Sequence, residues 1–197
     1  MQNDTLKPNA TRDEYHFLIR KATKTDIPIL NQIVQLSIRQ LGGKYYSSEQ
    51  VESSLKYLFG IDTQVVADGT YYVVETHDQI VACGGWSRRK TPFGGDQAST
   101  IQNSALRDPK TDPAVIRAFY VHPDWARQGI GKKLLEYCET QALREGFCWF
   151  ELTSTLSGYP LYARYGYQET GKIAMSLPGN ISIPGVKMEK RQLVSET

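Results

Sequence analysis

Apolar residues recur three or four positions apart in three stretches of the chain, which is the spacing of helices that bury one face. The first stretch, TDIPILNQIVQLSIRQLGG, begins at Thr25, has Pro28 in its first turn and ends at two glycines, all typical of helix boundaries. The second, SSEQVESSLKYLFG, ends at Gly60 and begins with a serine cap. The third begins at Ile130 and stops at Gly146. These stretches predict three amphipathic helices.

Runs rich in β-branched and aromatic residues lie between these helices and predict strands. A short strand is expected at residues 16–20, and a β-hairpin at residues 70–75 and 79–86. Gly84 and Gly85 lie inside the second run of the hairpin. Glycines in a strand predict either a β-bulge or a close approach of another backbone.

The rest of the chain continues to alternate strands and helices. Strands are expected in the run AVIRAFYV after Pro113, at residues 147–153, and in one or more runs that end near Lys190, with a short helix at residues 159–165. No internal repeat and no change of composition marks a boundary. The order β-α-α-β-β-β-α-β-α-β therefore predicts one α/β domain over residues 1–197.

Two segments stand apart from this alternation. Residues 1–15 show no periodicity and predict a loose tail. Residues 87–113 form a long polar stretch rich in Gly, Asp, Asn, Thr and Pro. A loop of this length in a compact domain is either a lid or binding loop or a disordered segment, and the sequence leaves both readings open.

Composition narrows the classes of function. The 23 Lys and Arg against 21 Asp and Glu give a net charge of +2, too even for a protein that coats nucleic acid or an anionic membrane, so an anionic ligand has to be held locally. Cys83, Cys138 and Cys148 form no CxxC pair and the chain has three His, so we expect buried thiols and neither a disulfide framework nor a metal site. An apolar leader and a stretch of membrane-spanning length are both absent, which favours a cytoplasmic protein.

The strongest local pattern is RQGIGKK at the start of the third predicted helix. Gly129 and Gly131 remove side chains from this start, so the free N–H groups of the first turn can approach an anion, which the helix dipole also favours. Arg127, Lys132 and Lys133 add positive charge. The pattern predicts a cradle for a pyrophosphate or nucleotide phosphate, and a plain helix cap is the alternative.

Two other phosphate-binding classes match less well. A dinucleotide fold needs GxGxxG directly after its first strand, but Leu134 stands at the third glycine position and residues 122–128 separate the strand from the first glycine. Glu151 lies twenty residues after Gly131, which is the one point in favour of that fold. The P-loop pattern GxxxxGK[ST] does not occur.

Two segments together resemble one enzyme family. FYVHPDWARQGIGKKLL is similar to motif A of the GNAT superfamily of acyl-CoA-dependent N-acyltransferases, and YPLYARYGY, residues 159–167, is similar to its motif B. The motifs occur in the family's order, and the resemblance extends over about residues 16–192. It implies an acetyltransferase of GNAT-type α/β fold, in which a mixed, mostly antiparallel sheet of six to seven strands, flanked by about four helices, is splayed in the middle to admit acetyl-CoA as cosubstrate.

The resemblance also implies which residues bind acetyl-CoA. The motif A strand offers backbone groups to the pantetheine arm and the thioester, and its residues here are Phe119, Tyr120 and Val121. The pyrophosphate cradle comprises Arg127, Gln128, Gly129, Ile130, Gly131 and Lys132. Two positions depart from the family pattern: Ala126 stands where Gln or Arg is usual, and Thr155 stands where many members have a cofactor-binding Asn. Thr155 is a candidate hydrogen-bonding substitute.

Catalytic roles follow from the same resemblance. Tyr162 corresponds to the tyrosine of motif B that acts as general acid and gives a proton to the coenzyme A thiolate. An amine acceptor also has to lose a proton, because it arrives charged at neutral pH. Glu151 is the first candidate base, and His122, backbone carbonyls and ordered water are the alternatives.

The acceptor is expected to be a primary amine of a small molecule or a peptide, with no nucleic acid or membrane partner. The resemblance places the acceptor groove near Tyr45, Tyr46, Trp86 and residues 88–90. Both a monomer and a homodimer are compatible with the sequence. The alternative function is a catalytically weak module that binds acyl-CoA as a sensor or for interaction with a partner.

Overall fold

Seven strands form one open sheet in the computed structural model, which describes residues 16–90, 94–98 and 105–192. The strands are β1 (Leu18–Lys21), β2 (Tyr71–Thr76), β3 (Gln79–Ser87), β4 (Ala114–Val121), β5 (Trp149–Thr155), β6 (Gln168–Leu177) and β7 (Ile181–Arg191). The α-helices are α1 (Ile27–Gln40), α2 (Ser48–Tyr57), α3 (Thr63–Ala67), α4 (Ile130–Arg144) and α5 (Tyr159–Arg164). The predicted α/β class is confirmed. The tail predicted at residues 1–15 lies outside the described residues.

The helices form where apolar spacing and end signals agree. α1 has Pro28 in its first turn and buries Leu30 and Ile33 on its inner face. At the start of α2, the Ser47 hydroxyl accepts the N–H of Gln50, and the Gln50 side chain accepts the N–H of Ser47. Each interaction satisfies a donor that the helix itself leaves unpaired.

Helix α3 is an addition to the predicted order. It has five residues, too few to show a helical period in the sequence. Asp62 nevertheless caps it, because its carboxylate accepts the N–H groups of Gln64 and Val65.

The sheet divides into two parts at its only parallel contact. The strand order is β1-β2-β3-β4-β5-β7-β6, and every pair of neighbours is antiparallel except β4 and β5. These two strands pair only through Ala114 with Phe150 and Val115 with Glu151, and beyond these pairs they separate. The mixed sheet splayed in its middle is therefore confirmed.

Strand β4 contains a bulge next to the opening. Its register against β3 shifts between Cys83 and Gly85, so Gly84 faces two residues of β4, Ala118 and Phe119, and Ala118 has a φ of +56°. A Cβ on Gly84 would overlap the Phe119 ring, and one on Gly85 would overlap the backbone of β2. The close backbone approach predicted from the two glycines is confirmed at Gly85, whereas the bulge lies in β4, opposite Gly84, and not in the strand that contains the glycines.

Apolar layers cover both faces of the sheet. On one face, residues of α4 and α5 pack around Trp86 and Phe150, and on the other, residues of α1, α2 and α3 pack around Tyr71. Cys83 and Cys138 lie inside these layers as predicted, whereas Cys148, just before β5, is only half-buried. Burial raises the pKa of Cys83 to about 12, so this thiol stays protonated at neutral pH.

Candidate active site

The opening between β4 and β5 leads into a cleft of about 1180 Å³. Its walls come from β4, the segment that enters α4, the first turn of α4, β5 and α5. Most of the residues predicted to bind the cofactor or to act in catalysis line this cleft, and Lys133 and His122 do not: the lining includes Phe119, Tyr120, Val121, Arg127, Gln128, Gly129, Ile130, Gly131, Lys132, Glu151, Thr155 and Tyr162. The fold thus brings the two motifs to one place.

The entry to α4 has the backbone of an anion site. Arg127 has a φ of +67° and Gly129, the N-cap of α4, has a φ of +83°. Backbone that enters the left-handed region in this way can gather N–H groups into a concave anion site, and the α4 dipole adds partial positive charge there. No atom lies within 4 Å of a Cβ built on Gly129, so its backbone conformation, rather than lack of space, favours glycine.

The lysines at this helix start point in different directions. Lys132 lines the cleft, with Nζ 3.7 Å from Glu136 Oε1 and 5.8 Å from the centre of the Tyr165 ring. Lys133 instead places Nζ over the Phe17 ring at 5.0 Å and is not among the lining residues. Of the three basic residues at this helix start, Arg127 and Lys132 therefore line the cleft and Lys133 does not.

Helix α5 places Tyr162 in the wall of the cleft. Its ring meets Phe119 edge to face at 6.3 Å and Tyr167 at 5.7 Å, measured between ring centres. The residue is 8% exposed, and burial, reinforced by the nearby Cys138, raises the pKa of Tyr162. Its hydroxyl therefore keeps its proton throughout the neutral range.

Glu151 lies on β5 and lines the cleft beside Arg107. Arg107 Nη2 is 2.8 Å from Glu151 Oε1, and the same guanidinium donates to the carbonyls of Arg89 and Pro113. The loop before β4 thus fixes the orientation of this carboxylate. Glu189 is the partner of Glu151 across β5 and β7 and also lines the cleft.

Two further candidates, Thr155 and His122, make hydrogen bonds that stabilise turns. The Thr155 hydroxyl accepts the N–H of Gly158 at 3.1 Å, which supports the turn into α5. The Nδ1 atom of His122 accepts the N–H of Asp124 at 3.3 Å, so this imidazole caps the turn that follows β4. His122 is also absent from the residues that line the cleft.

The other end of the cleft passes between α1 and the second half of the sheet. Ile38 of α1, Leu41 just after it, Phe59, and Met175 of β6 form an apolar wall there. Arg117 of β4 is buried at this end, with Nη2 2.9 Å from Asp62 Oδ2. Sequence reasoning missed Arg117, although an arginine inside the apolar run AVIRAFYV was a usable signal.

The groove residues expected from the resemblance are mostly elsewhere. Trp86 is fully buried against Phe147 under α4, and Arg88, Arg89 and Lys90 form ion pairs with Glu145, Asp68 and Asp112. None of these lines the cleft, so this placement in the acceptor groove was wrong. Trp86 packs in the core, and the three basic side chains pair with nearby carboxylates instead.

The two tyrosines between α1 and α2 also differ from that expectation, because neither lines the cleft. Tyr45 is exposed, whereas Tyr46 is buried. The Tyr46 hydroxyl donates to the carbonyl of Pro184 and accepts the N–H of Leu156. Tyr46 thus ties the α1–α2 connection to the segment that follows β5.

Residues 16–90, 94–98 and 105–192 contain neither a metal-binding cluster nor a membrane-spanning helix. No three His, Cys, Asp or Glu side chains there are grouped so that they could hold a metal ion. No helix in this part of the chain combines the length and the apolar character needed to cross a membrane.

Comparison with known proteins gives several structural matches. The GCN5-related N-acetyltransferase from Rhodopseudomonas palustris is 20% identical with a TM-score of 0.66, over 88% of this chain and 94% of that one. The PaiA N-acetyltransferase from Thermoplasma acidophilum, in complex with coenzyme A, is 16% identical with a TM-score of 0.61, over 89% and 99%. A GNAT family acetyltransferase from Brucella melitensis, in complex with acetyl-CoA, is 17% identical with a TM-score of 0.54, over 92% of each chain. At these identities the matches show a shared fold.

Family membership rests on the sequence match. No curated protein matches this chain significantly. The family model described as an acetyltransferase (GNAT) domain matches residues 67–169, more than half of the chain. That range contains β4, α4 and α5, and with them residues 127–132 and Tyr162. The chain therefore belongs to the GNAT family of acetyltransferases, and the enzyme is an acyltransferase.

Proposed function

We propose that this enzyme moves the acetyl group of acetyl-CoA to a primary amine of a small molecule or a peptide, by direct attack of the amine on the thioester. One observation carries the proposal: the glycine-containing start of α4 and a buried tyrosine line the same opening in the sheet. When bound, acetyl-CoA supplies the acetyl group as a thioester. Structural neighbours were solved with coenzyme A or acetyl-CoA, which supports this choice of cosubstrate.

The start of α4 is proposed to bind the pyrophosphate of coenzyme A. Arg127, Gln128, Gly129, Ile130, Gly131 and Lys132 form this part of the cleft. Free N–H groups, the helix dipole and two cationic side chains all favour a polyanion there. Thr155 is proposed to add a polar contact from the opposite wall, in addition to its place in the turn before α5.

The end of β4 is proposed to bind the pantetheine arm and the thioester through its backbone. Pairing between β4 and β5 stops at Val115, so the strand edge at Phe119, Tyr120 and Val121 has no β5 partner in the cleft. An unpaired strand edge offers backbone N–H and C=O groups to an extended ligand. A backbone N–H there would also stabilise the negative charge that develops on the thioester oxygen.

Tyr162 and Glu151 are proposed to move the two protons of the reaction. Glu151, directly or through water, takes the proton that the charged amine has to lose before attack, and Arg107 orients that carboxylate. The neutral nitrogen then forms a bond to the acetyl carbon, and as the carbon–sulfur bond breaks, the departing sulfur takes its proton from the Tyr162 hydroxyl. The second proton of the nitrogen restores Tyr162 through solvent, and Glu151 releases its proton to solvent. Burial raises the pKa of Tyr162, so the hydroxyl holds its proton at neutral pH and releases it only to a strong acceptor such as the developing thiolate.

The proposal also covers the domain organisation of the chain, its location in the cell and the class of its acceptor. Residues 1–197 form one GNAT domain with residues 87–113 as an elaboration of its loop. The near-even charge and free cysteines favour a cytoplasmic enzyme whose acceptor is neither a nucleic acid nor a membrane. N-acetyltransferases among the structural neighbours support an amine as acceptor.

The test begins with the unaltered enzyme. Thiol release from acetyl-CoA is followed with a panel of amino acids, polyamines and peptides with free N-termini. Turnover with any of these amines supports the proposal. Binding of acetyl-CoA by calorimetry without turnover on any amine would favour the sensor instead.

The role of Tyr162 is tested with Tyr162→Phe and a matched control, Tyr167→Phe, from the same aromatic cluster. We expect Tyr162→Phe to lower kcat by about 10²-fold or more, with the acetyl-CoA dissociation constant little changed, because proton donation contributes about 10²–10⁴-fold. Tyr167 does not line the cleft, so Tyr167→Phe should keep kcat. Equal kcat values for Tyr162→Phe and the unaltered enzyme would remove Tyr162 as general acid.

A further inference from the structure

Tyr71 makes an unusual contact from outside the cleft. It is fully buried in β2, and its hydroxyl donates a hydrogen bond to the carbonyl of Ala118 at 2.7 Å. Ala118 is the residue of β4 with the left-handed backbone, at a φ of +56°. A tyrosine of one strand thus contacts the bulge of a strand that is not its neighbour in the sheet.

The contact gives a hydrogen-bond partner to a residue that has no counterpart in β3. The register of β3 against β4 jumps from Cys83–Tyr120 to Gly85–Arg117, so Ala118 lies in the bulge and outside the regular pairing. Buried carbonyls rarely go without a partner, and residues other than glycine rarely adopt a positive φ unless their surroundings enforce it. The Tyr71 hydroxyl is a partner for the Ala118 carbonyl, and the same hydrogen bond helps to hold Ala118 at its positive φ.

The bulge decides what β4 presents to the cleft. Ala118 and Phe119 both line the cleft, and the Phe119 ring lies edge to face on Tyr162 at 6.3 Å. The Phe119 ring occupies the space that a side chain at position 84 would fill, where the chain has Gly84. Without the bulge, the residues after Arg117 would return to the regular alternation of a strand and change face.

We infer that Tyr71 is a positioning residue for acetyl transfer: its hydrogen bond to Ala118 holds the bulge that directs Phe119 and the adjoining β4 backbone at the thioester. This inference rests on the proposed function, since it assigns β4 to the thioester end of the cleft. Tyr71 itself does not line the cleft and acts only through Ala118. Burial raises the pKa of Tyr71, so its hydroxyl remains a donor over the working pH range.

The neighbouring Tyr72 provides a matched control. It is in the same strand, it is also buried, and its ring meets Tyr137 of α4 edge to face at 5.0 Å. Tyr72 therefore belongs to the opposite face of the sheet, away from Ala118. Tyr71→Phe and Tyr72→Phe each remove one hydroxyl from a buried ring, but only the first removes the contact with the bulge.

The experiment compares both variants with the unaltered enzyme. Circular dichroism checks the fold, calorimetry gives the dissociation constants of coenzyme A and acetyl-CoA, and thiol release with the amine found active in the panel gives kcat and KM. We expect Tyr71→Phe to lower kcat by about tenfold or more, since small misplacements of reacting groups cost up to about 10²-fold, with the dissociation constant of coenzyme A little changed. Tyr72→Phe should leave kcat within about twofold.

Three outcomes would overturn the inference: an unchanged kcat in Tyr71→Phe, an equal loss in both variants, or a crystal structure of Tyr71→Phe in which Ala118 keeps its left-handed backbone and Phe119 its place. The crystal structure gives a result whether or not an active amine is found. Failure of the proposed function is a different result, because it is a lack of acetyl-CoA binding or of turnover in the unaltered enzyme.

Discussion

At the scale of single residues, Gly129 and Gly131 differ in how an added side chain would affect the stability of the fold. Gly129 has a φ of +83° with open space around it, whereas a Cβ on Gly131, inside α4, would lie 3.3 Å from Leu161. Gly129→Ala should lower the free energy of unfolding by about 1–2 kcal/mol, because L residues resist the left-handed region. Gly131→Ala should not, since alanine favours a helix over glycine by about 1 kcal/mol.

Both glycine variants should bind coenzyme A more weakly, because each adds a methyl group to the cradle. Urea denaturation gives the two stabilities, and calorimetric titration gives the two affinities. Equal losses of stability would contradict the backbone argument. Unchanged affinity in both would contradict the assignment of the cradle to the pyrophosphate.

Residues close together in the sequence could be predicted as a site, and residues joined only by the fold could not. Arg127 to Lys132 form one continuous stretch whose glycine spacing has a direct physical meaning. Arg107 meets Glu151, and Tyr71 meets Ala118, only because the fold brings together segments that are far apart in the chain. No local pattern marks such pairs, so the positioning groups of the site were not predicted.

At the scale of elements, Asp26 joins β1 to α1. Its carboxylate accepts two hydrogen bonds from Arg20 of β1, at 2.8 and 2.9 Å, and one from the N–H of Thr23. The Arg20 guanidinium, with these hydrogen bonds, lowers the pKa of Asp26. A lowered pKa means that this stabilisation is complete above the pKa of an unfolded aspartate, about 3.9, and is lost as the pH falls toward the folded value.

Asp26→Asn should therefore lower the free energy of unfolding at pH 7 by about 1–3 kcal/mol, the range for hydrogen bonds to charged groups. The difference from the unaltered protein should shrink as the pH falls below about 4. Denaturation in urea at a series of pH values measures both effects. Glu52→Gln is the control, because the exposed pair of Glu52 with Arg39 should contribute nothing measurable. A difference that stays constant with pH would contradict the argument.

Elements were predictable where a long apolar period and clear end signals coincide. α1, α2 and α4 meet both conditions and lie within a few residues of their expected positions. β6 and β7 were expected only as one or more strands, because most of their residues are exposed or half-buried and Pro184 and Gly185 interrupt β7. Their pairing over nine positions, rather than an apolar face, makes them strands.

At the scale of the whole molecule, the cleft separates two parts of the sheet that share few hydrogen bonds. β1 to β4 form one part and β5 to β7 the other, with two residue pairs between β4 and β5. The net charge of +2 gives the molecule no general attraction for anions. The proposed cradle at the start of α4 therefore has to concentrate positive potential locally. A ligand in the cleft would contact both parts at once.

Acetyl-CoA should therefore stabilise the whole fold rather than one loop. At one hundred times its dissociation constant, a ligand that binds only the folded state adds about 2.7 kcal/mol, which raises the melting temperature of a chain of this length by roughly 5–10 °C. NADH at the same concentration should leave the melting temperature unchanged, because the chain lacks the third glycine of a dinucleotide fold at Leu134. Calorimetric melts with each ligand measure the two shifts. An equal rise of the melting temperature with NADH and with acetyl-CoA would mean that the cleft recognises a pyrophosphate without the thioester arm. It would contradict the proposal that β4 binds the pantetheine arm.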